Sequence, residues 1–447
     1  MTLKPLKTLL FAAAAVVSTL SMPSTASAQM EYMAEAMQPA YFSRDLVVFA
    51  EGLNLDDTQE VIVEAMFDSY TDDFEYGWAA TQERLNKVAE EMKEKTPANT
   101  KDTLEPVLNA LGDWLIEKRH LDQGLLENIQ AILVSDQRAL WPGFSQRLYR
   151  EKHISRGRLS GESVDLYIIE RDCNLTPVAE STIADSLDEY AQAFDFAMRN
   201  RDSILRGNPK KLFENILSDN SNRNADLSED LIKARVEVRD LNDRYIEIIC
   251  SQLSPLDSED FRTRALKRGY TRIYRRTPAQ RLFRQAAENT TYAAEITAQI
   301  LGLETSYIQE LNNINFKLLG LTRKHEPEAQ LHRAQAGQIR KSGGTPNVLE
   351  DPTRAIFKKR EALGKEYIEM LRALLTPEDF LELDGSRRWV PRSEQPSSLP
   401  NQQVGNGELS LSGGKVNPSG KSKSKENKKG SNDGVNNGWG NKGKPGS

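Results

Sequence analysis

The 447-residue chain has little of what builds metal centres or covalent scaffolds, with 2 cysteines and 4 histidines. That scarcity excludes a multi-ligand zinc site and a dense disulfide framework. His120, His153, His325 and His332 are scattered, and none stands in an H-E-x-x-H or H-x-E arrangement. His325 and His332 are seven apart, which on a helix places them on one face but about 10 Å apart, too far for one metal ion. Phosphate-cradling glycine loops are missing. Gly157-Arg158-Leu159-Ser160-Gly161 is not a G-x-S-x-G elbow and follows no buried strand. No catalytic, cofactor or metal residue is therefore assigned, and a hydrolase is the weakest reading.

Long apolar runs are also lacking beyond the first 28 residues. Lys4 and Lys7, the apolar stretch Leu9 to Leu20 and the small residues Ala26-Ser27-Ala28 read as an export signal over residues 1–28. The stretch is shorter than the roughly 20 residues of a spanning helix, so the expectation is a periplasmic or secreted protein with no membrane span after cleavage. Net charge is −6, and loss of the two signal lysines takes it to −8. Residues 393–447 are Gly-, Ser-, Asn- and Lys-rich. From Lys415 onward eight lysines face two acids, Glu426 and Asp433. So little apolar surface cannot offset ordering entropy, and a disordered basic tail is expected, either solubilising or touching an anionic envelope polymer.

What the chain has is internal repetition. Residues 43–76 align without a gap onto 163–196, with nine identities that include Asp45/Asp165, Asn54/Asn174, Leu55/Leu175, Tyr70/Tyr190 and Phe74/Phe194. A weaker third copy is expected from about Tyr292, with Leu301-Gly302-Leu303 in the place of Leu53-Asn54-Leu55. Second markers follow at Leu133-Val134-Ser135-Asp136, Leu253-Ser254-Pro255 and Leu375-Thr376-Pro377-Glu378. Between the markers, apolar residues recur in steps of three and four, as in Leu231, Ala234, Val238, Leu241, Tyr245 and Ile248, the seam of a coiled-coil-like helix pair. The markers themselves read as helix starts, with a hydroxyl or carboxylate cap and then proline or acids. The expected fold is all-α: three tandem long helical hairpins over 40–160, 161–286 and 287–392. In the second, helices should run from about Thr176 to Arg206 and from about Leu227 to Leu253.

The helix starts at Leu55…Gln59 and Leu133…Gln137 resemble the LTxxQ motifs of the periplasmic Spy/CpxP family. Leu175-Thr176, Leu253, Leu303 and Leu375-Thr376 look like diverged versions. Only Gln59 and Gln137 keep the glutamine. The resemblance implies a small-hairpin fold used three times and an exported, ATP-independent chaperone or envelope-stress factor that binds unfolded or envelope proteins. The alternative is a structural, self-associating helical scaffold of the envelope.

Two further features bear on binding. Cys173 and Cys250 fall at neighbouring ends of the second hairpin, so they form either a disulfide or two buried thiols; a bridge would contribute roughly 4 kcal/mol. Residues 262–284 hold Arg262, Arg264, Lys267, Arg268, Arg272, Arg275, Arg276, Arg281 and Arg284, interleaved with Tyr270, Tyr274 and Phe283. Such a run either pairs internally, with Asp68, Asp72, Asp73 and Glu75 or with Asp185, Asp188 and Glu189, or meets an anionic partner. Export argues against nucleic acid.

Overall fold

A computed structural model describes residues 36–94, 100–206, 221–341 and 343–391. The expected signal (1–28), the basic tail (393–447) and the expected breaks at 96–99 and 207–209 lie outside the described residues. Within them the chain is mostly helical, with thirteen α-helices, two short 3-10 turns and no strand. No helix there is long and apolar enough to cross a membrane.

The helices begin where the cap chemistry says they should. Helix α1 spans Asp45–Leu53 and α2 Asp57–Glu94. The Asp56 carboxylate Oδ1 accepts the Thr58 and Gln59 amides at 2.9 Å, so it satisfies two of α2's open N–H groups. Helix α3 (Thr100–Ile132) returns along α2, and α4 (Ser135–His153) follows. The next four-helix run is α5 (Leu166–Cys173), α6 (Pro177–Arg206), α7 (Ser221–Gln252) and α8 (Pro255–Gly269). Thr176 Oγ1 caps α6 through Ala179 N (3.3 Å), and Ser254 Oγ caps α8 through Asp257 N (3.3 Å). A single turn, α9 (Thr271–Tyr274), leads into α10 (Pro278–Glu288), α11 (Ala294–Lys341), α12 (Thr353–Leu374) and α13 (Pro377–Glu382). Thr376 Oγ1 caps α13 through Asp379 N at 3.2 Å.

Three long pairs carry the packing: α2 on α3, α6 on α7 and α11 on α12. In the second pair Ile183, Tyr190, Phe194, Met198, Val238, Ile246 and Ile249 form one buried cluster. Full burial of each aliphatic or aromatic side chain contributes about 1.5–3 kcal/mol, and this, rather than propensity, stabilises helices of such length.

Two expectations are corrected. Leu301-Gly302-Leu303 is no helix start, because Leu303 lies inside the continuous α11. A leucine pair around glycine lacks a capping side chain and a following proline, so nothing there breaks the helix. The turn before α11 falls earlier, and its apolar residue is Tyr292, two positions ahead of Ala294, as Leu55 and Leu175 are ahead of Asp57 and Pro177. The long pair thus spans 83 residues from Tyr292 to Leu375. The border at 286/287 also cuts α10 from its partners, since Ala279, Leu282, Phe283 and Ala286 share a core with α11 and α12. Contacts cross both expected borders, with α4 packed on α6 and α7 on α11.

Those crossings meet at the loop between α4 and α5. Gly161 has φ +86°, and a Cβ there would fall 2.7 Å from the Tyr270 hydroxyl, so glycine is required twice over. Its N–H donates to Gly269 O (2.8 Å), and its carbonyl accepts Asn242 Nδ2 from α7 (2.9 Å). Ser160 N and Oγ donate to Glu326 of α11 (2.9 and 3.2 Å). Glu162, fully buried, accepts the Arg158 and Leu159 amides (2.6 and 3.0 Å) and pairs at 2.8 Å with Arg201 of α6, also fully buried. Arg201 donates on to Asp202 (2.9 Å) and to the His153 carbonyl (3.1 Å).

Removing one member of a buried ion pair leaves the other uncompensated. Arg201→Ala is expected to lower unfolding free energy by about 3–5 kcal/mol in urea titrations, while the double change Arg201→Met with Glu162→Gln loses measurably less.

Candidate functional site

The two motif glutamines sit at the base of the first long pair, each at the third position of its helix. There a side-chain amide can reach back to the backbone just ahead of the helix. Gln59 Oε1 accepts Asp56 N (3.1 Å) and Gln137 Oε1 accepts Val134 N (3.0 Å). The same amides then meet face to face: Gln59 Nε2 donates to Gln137 Oε1 at 2.8 Å, and Gln137 Nε2 donates to Gln59 Oε1 at 2.7 Å. Each also donates to the end of the other's preceding helix, Gln59 to Ile132 O (3.1 Å) and Gln137 to Asn54 O (2.8 Å). Leu55 and Leu133 pack beneath, with Phe49, Leu53, Ile129 and Phe144. This is a clasp of neutral groups, buried and fully paired, with no open atom for a ligand. The second pair has Ala179 and Asp257 at these places, and Asp257 Oδ2 only accepts its own Ser254 hydroxyl (2.8 Å). Leu175, Thr176, Leu253, Leu375 and Thr376 all precede helix starts.

One comparable start escaped the sequence reading. Thr277-Pro278-Ala279-Gln280 is a capping box: Thr277 Oγ1 accepts Gln280 N (3.2 Å) and Gln280 Oε1 accepts Thr277 N (2.9 Å). The T-x-x-Q spacing was visible, but it stood inside the basic run.

That run is distributed over α8, α9, the link at 275–277 and α10. Arg262 pairs with Glu247 (2.6 Å), Arg264 with Asp260 (2.7 Å) and Arg284 with Glu288 (2.7 Å), while Arg272 lies 4.4 Å over the Phe357 ring. Lys267, Arg268, Arg275, Arg276 and Arg281 are exposed. None of the acids expected as partners is paired with the group among the described residues.

Cys173 and Cys250 are free thiols. They flank α8: Cys250 Sγ donates to Ser258 O (3.4 Å), and Cys173 faces Asp260. Burial, then the Asp260 carboxylate, pushes the Cys173 thiol up to about 12, and burial raises Cys250 as well. His120 is exposed on α3. His153 stacks on Tyr149 at 4.0 Å, with Nδ1 2.7 Å from Asp202 Oδ2. His325 and His332 do share one face of α11, where they line a groove with the segment leading to α12. Among the described residues no group of three or more His, Cys, Asp or Glu side chains could hold a metal ion.

The outward sides of the long leading helices carry the remaining candidate features. Tyr76 on α2, Phe196 on α6 and Phe316 on α11 are 80%, 70% and 76% exposed. On the first two helices they stand among exposed acids, Asp72, Asp73 and Glu75 beside Tyr76 and Asp185, Asp188 and Glu189 below Phe196. The acids were read in the sequence only as partners of the basic run, and the aromatics were not singled out as a site, because burial of the neighbouring Phe74 and Phe194 is what turns Tyr76 and Phe196 outward. Comparison with protein-family models, with curated proteins and with solved structures finds no match.

Two outcomes follow. Gln59→Leu, which orphans Gln137 and the Ile132 carbonyl, should cost about 1–3 kcal/mol. Adding Gln137→Leu should cost far less than a second such loss, a coupling that a double-mutant cycle in urea measures. Raised thiol pKa values leave less thiolate at pH 8, so iodoacetamide should modify both cysteines of the native chain about tenfold or more slowly than in denaturant, and faster as pH climbs.

Proposed function

We propose that the chain is an exported, non-catalytic binding protein, built as three diverged copies of one helical hairpin in the manner of the Spy/CpxP family, and that it shields unfolded or envelope proteins from aggregation. Support for the copying comes from one residue. Tyr70, Tyr190 and Tyr307 occupy the same buried place on α2, α6 and α11, each turned toward its return helix. The Tyr70 hydroxyl donates to Asp122 (2.7 Å) and that of Tyr190 to Asn242 (3.0 Å). At the matching point of α12 stands Gly364, whose absent side chain leaves the Tyr307 hydroxyl to bond Thr277 Oγ1 at 2.8 Å. The third unit would then begin at α10 and end at α13.

The observation that carries the binding role is the solvent-facing aromatic on each leading helix, Tyr76, Phe196 and Phe316. Exposed rings of this size, two of them amid acids, suit brief contacts with basic, apolar stretches of a non-native chain. Clients would be held at several weak points rather than in one deep pocket, which needs no nucleotide to release them.

Light scattering of reduced lysozyme, a basic client, tests this. A several-fold molar excess of the full chain should suppress scattering, and the triple change Tyr76→Ser, Phe196→Ser and Phe316→Ser should lose most of that effect with helicity intact. Unchanged scattering with the unsubstituted chain sinks the reading. Self-association that the triple change abolishes, without client protection, favours a scaffold instead.

A further inference from the structure

The far half of α11 and the chain that returns from it enclose a groove of about 390 Å³, apart from the surfaces used above. Its turn is built by Gly343, at φ +80°, with Gly343 N donating to Arg340 O (3.1 Å) and Gly344 N to Ile339 O (2.8 Å). At the other end Asp351 Oδ1 accepts both the amide and the hydroxyl of Thr353 (2.9 and 2.5 Å), so the returning segment is pinned at both ends.

The helix side of the groove presents Arg333 and Arg340, with His332 beside the first and Ala336 between the two. Seven residues separate the arginines, which puts them on nearly the same line of the helix about 10 Å apart. Both are exposed. Asp351 is the groove's one carboxylate. It is taken up by Thr353 and lies 3.8 Å from His325 Nε2, at the opposite end from Arg340. Facing Ala336 are Val348 and Leu349, and Val348 is 90% exposed, the most exposed large apolar side chain in the described chain. Two cations thus bracket an apolar stretch whose returning side, Val348 and Leu349, is open to water while Ala336 forms its buried floor.

We propose that this groove binds a linear organic dianion, two carboxylate or phosphate groups joined by an apolar spacer. One anionic group pairs with Arg333 and His332, the other with Arg340, each guanidinium offering a two-pronged donor to two oxygens. The spacer lies over Ala336 and against Val348 and Leu349, removing their apolar surface from water. A pocket of this volume has room for a molecule of that size.

Isothermal titration calorimetry on the full chain decides it, with four probes. Nonanedioate and octane-1,8-diphosphonate carry their charges at about the arginine spacing and distinguish carboxylate from phosphate-type recognition. Nonanoate lacks one charge, and pyrophosphate lacks the spacer. At least one of the two spaced dianions should bind about tenfold or more tightly than nonanoate and pyrophosphate, and Arg333→Ala or Arg340→Ala should each remove about that factor. Circular dichroism checks that these surface changes keep the fold. The proposal is overturned if neither spaced dianion binds, if pyrophosphate binds as tightly as they do, or if the double arginine variant keeps the affinity of the original chain.

Discussion

The architecture depends on burying one ion pair. Glu162 and Arg201 are both removed from water, and each is surrounded by donors or acceptors that complete its hydrogen bonding. A desolvated pair of this kind is stable only when its geometry is held from several directions. Here the holding comes from everything around the α4–α5 loop: Gly269 and Asn242 on its main chain, Glu326 on Ser160, and Arg158's carbonyl on Gln330 Nε2 (3.0 Å). Three successive pairs of long helices would otherwise meet at their apolar sides with little to set their mutual register. The charged centre sets it, because any slip breaks hydrogen bonds that no water can replace.

A second layer of ties extends this order outward. The end of α4 reaches two helix starts at once, Lys152 to Asp45 (2.5 Å) and Arg150 to Asp165 (2.8 Å), the latter with the guanidinium 4.6 Å over Tyr167. Asp45 and Asp165 are matched residues of the first two segments, so one helix reads the same feature twice. Farther on, Asp243 accepts Tyr270 OH (2.8 Å) and pairs with Arg323 (2.8 Å), joining α7 to α11. Polar groups thus decide which helix lies beside which, and apolar burial supplies the stability.

Much of this was legible in the chain itself, and for a local reason. Helix starts are written in three or four consecutive residues, so Asp56, Thr176-Pro177, Ser254-Pro255 and Thr376-Pro377 could be placed within a residue or two. The seam from Leu231 to Ile248 could be read because its period is a property of the helix. Leu301-Gly302-Leu303 misled because likeness to a marker was taken without its cap. The buried state of Arg201 and the facing of Phe196 were not legible, since each is decided by helices far away in sequence, whereas the pairs Arg264–Asp260 and Arg284–Glu288 stand four apart on one helix and were passed over for distant acids. The glutamines were noticed as a motif, but their mutual bond required knowing that residues 78 apart converge.

That bond has a consequence for how the molecule would come apart. Carboxamides carry no net charge, so the Gln59–Gln137 clasp closes by hydrogen bonds between neutral groups, whereas the joint between the segments closes on the full charges of Glu162 and Arg201. The two junctions thus differ in what water gains by entering them: a pair of amides at the base of the first hairpin, and two whole charges where the segments join.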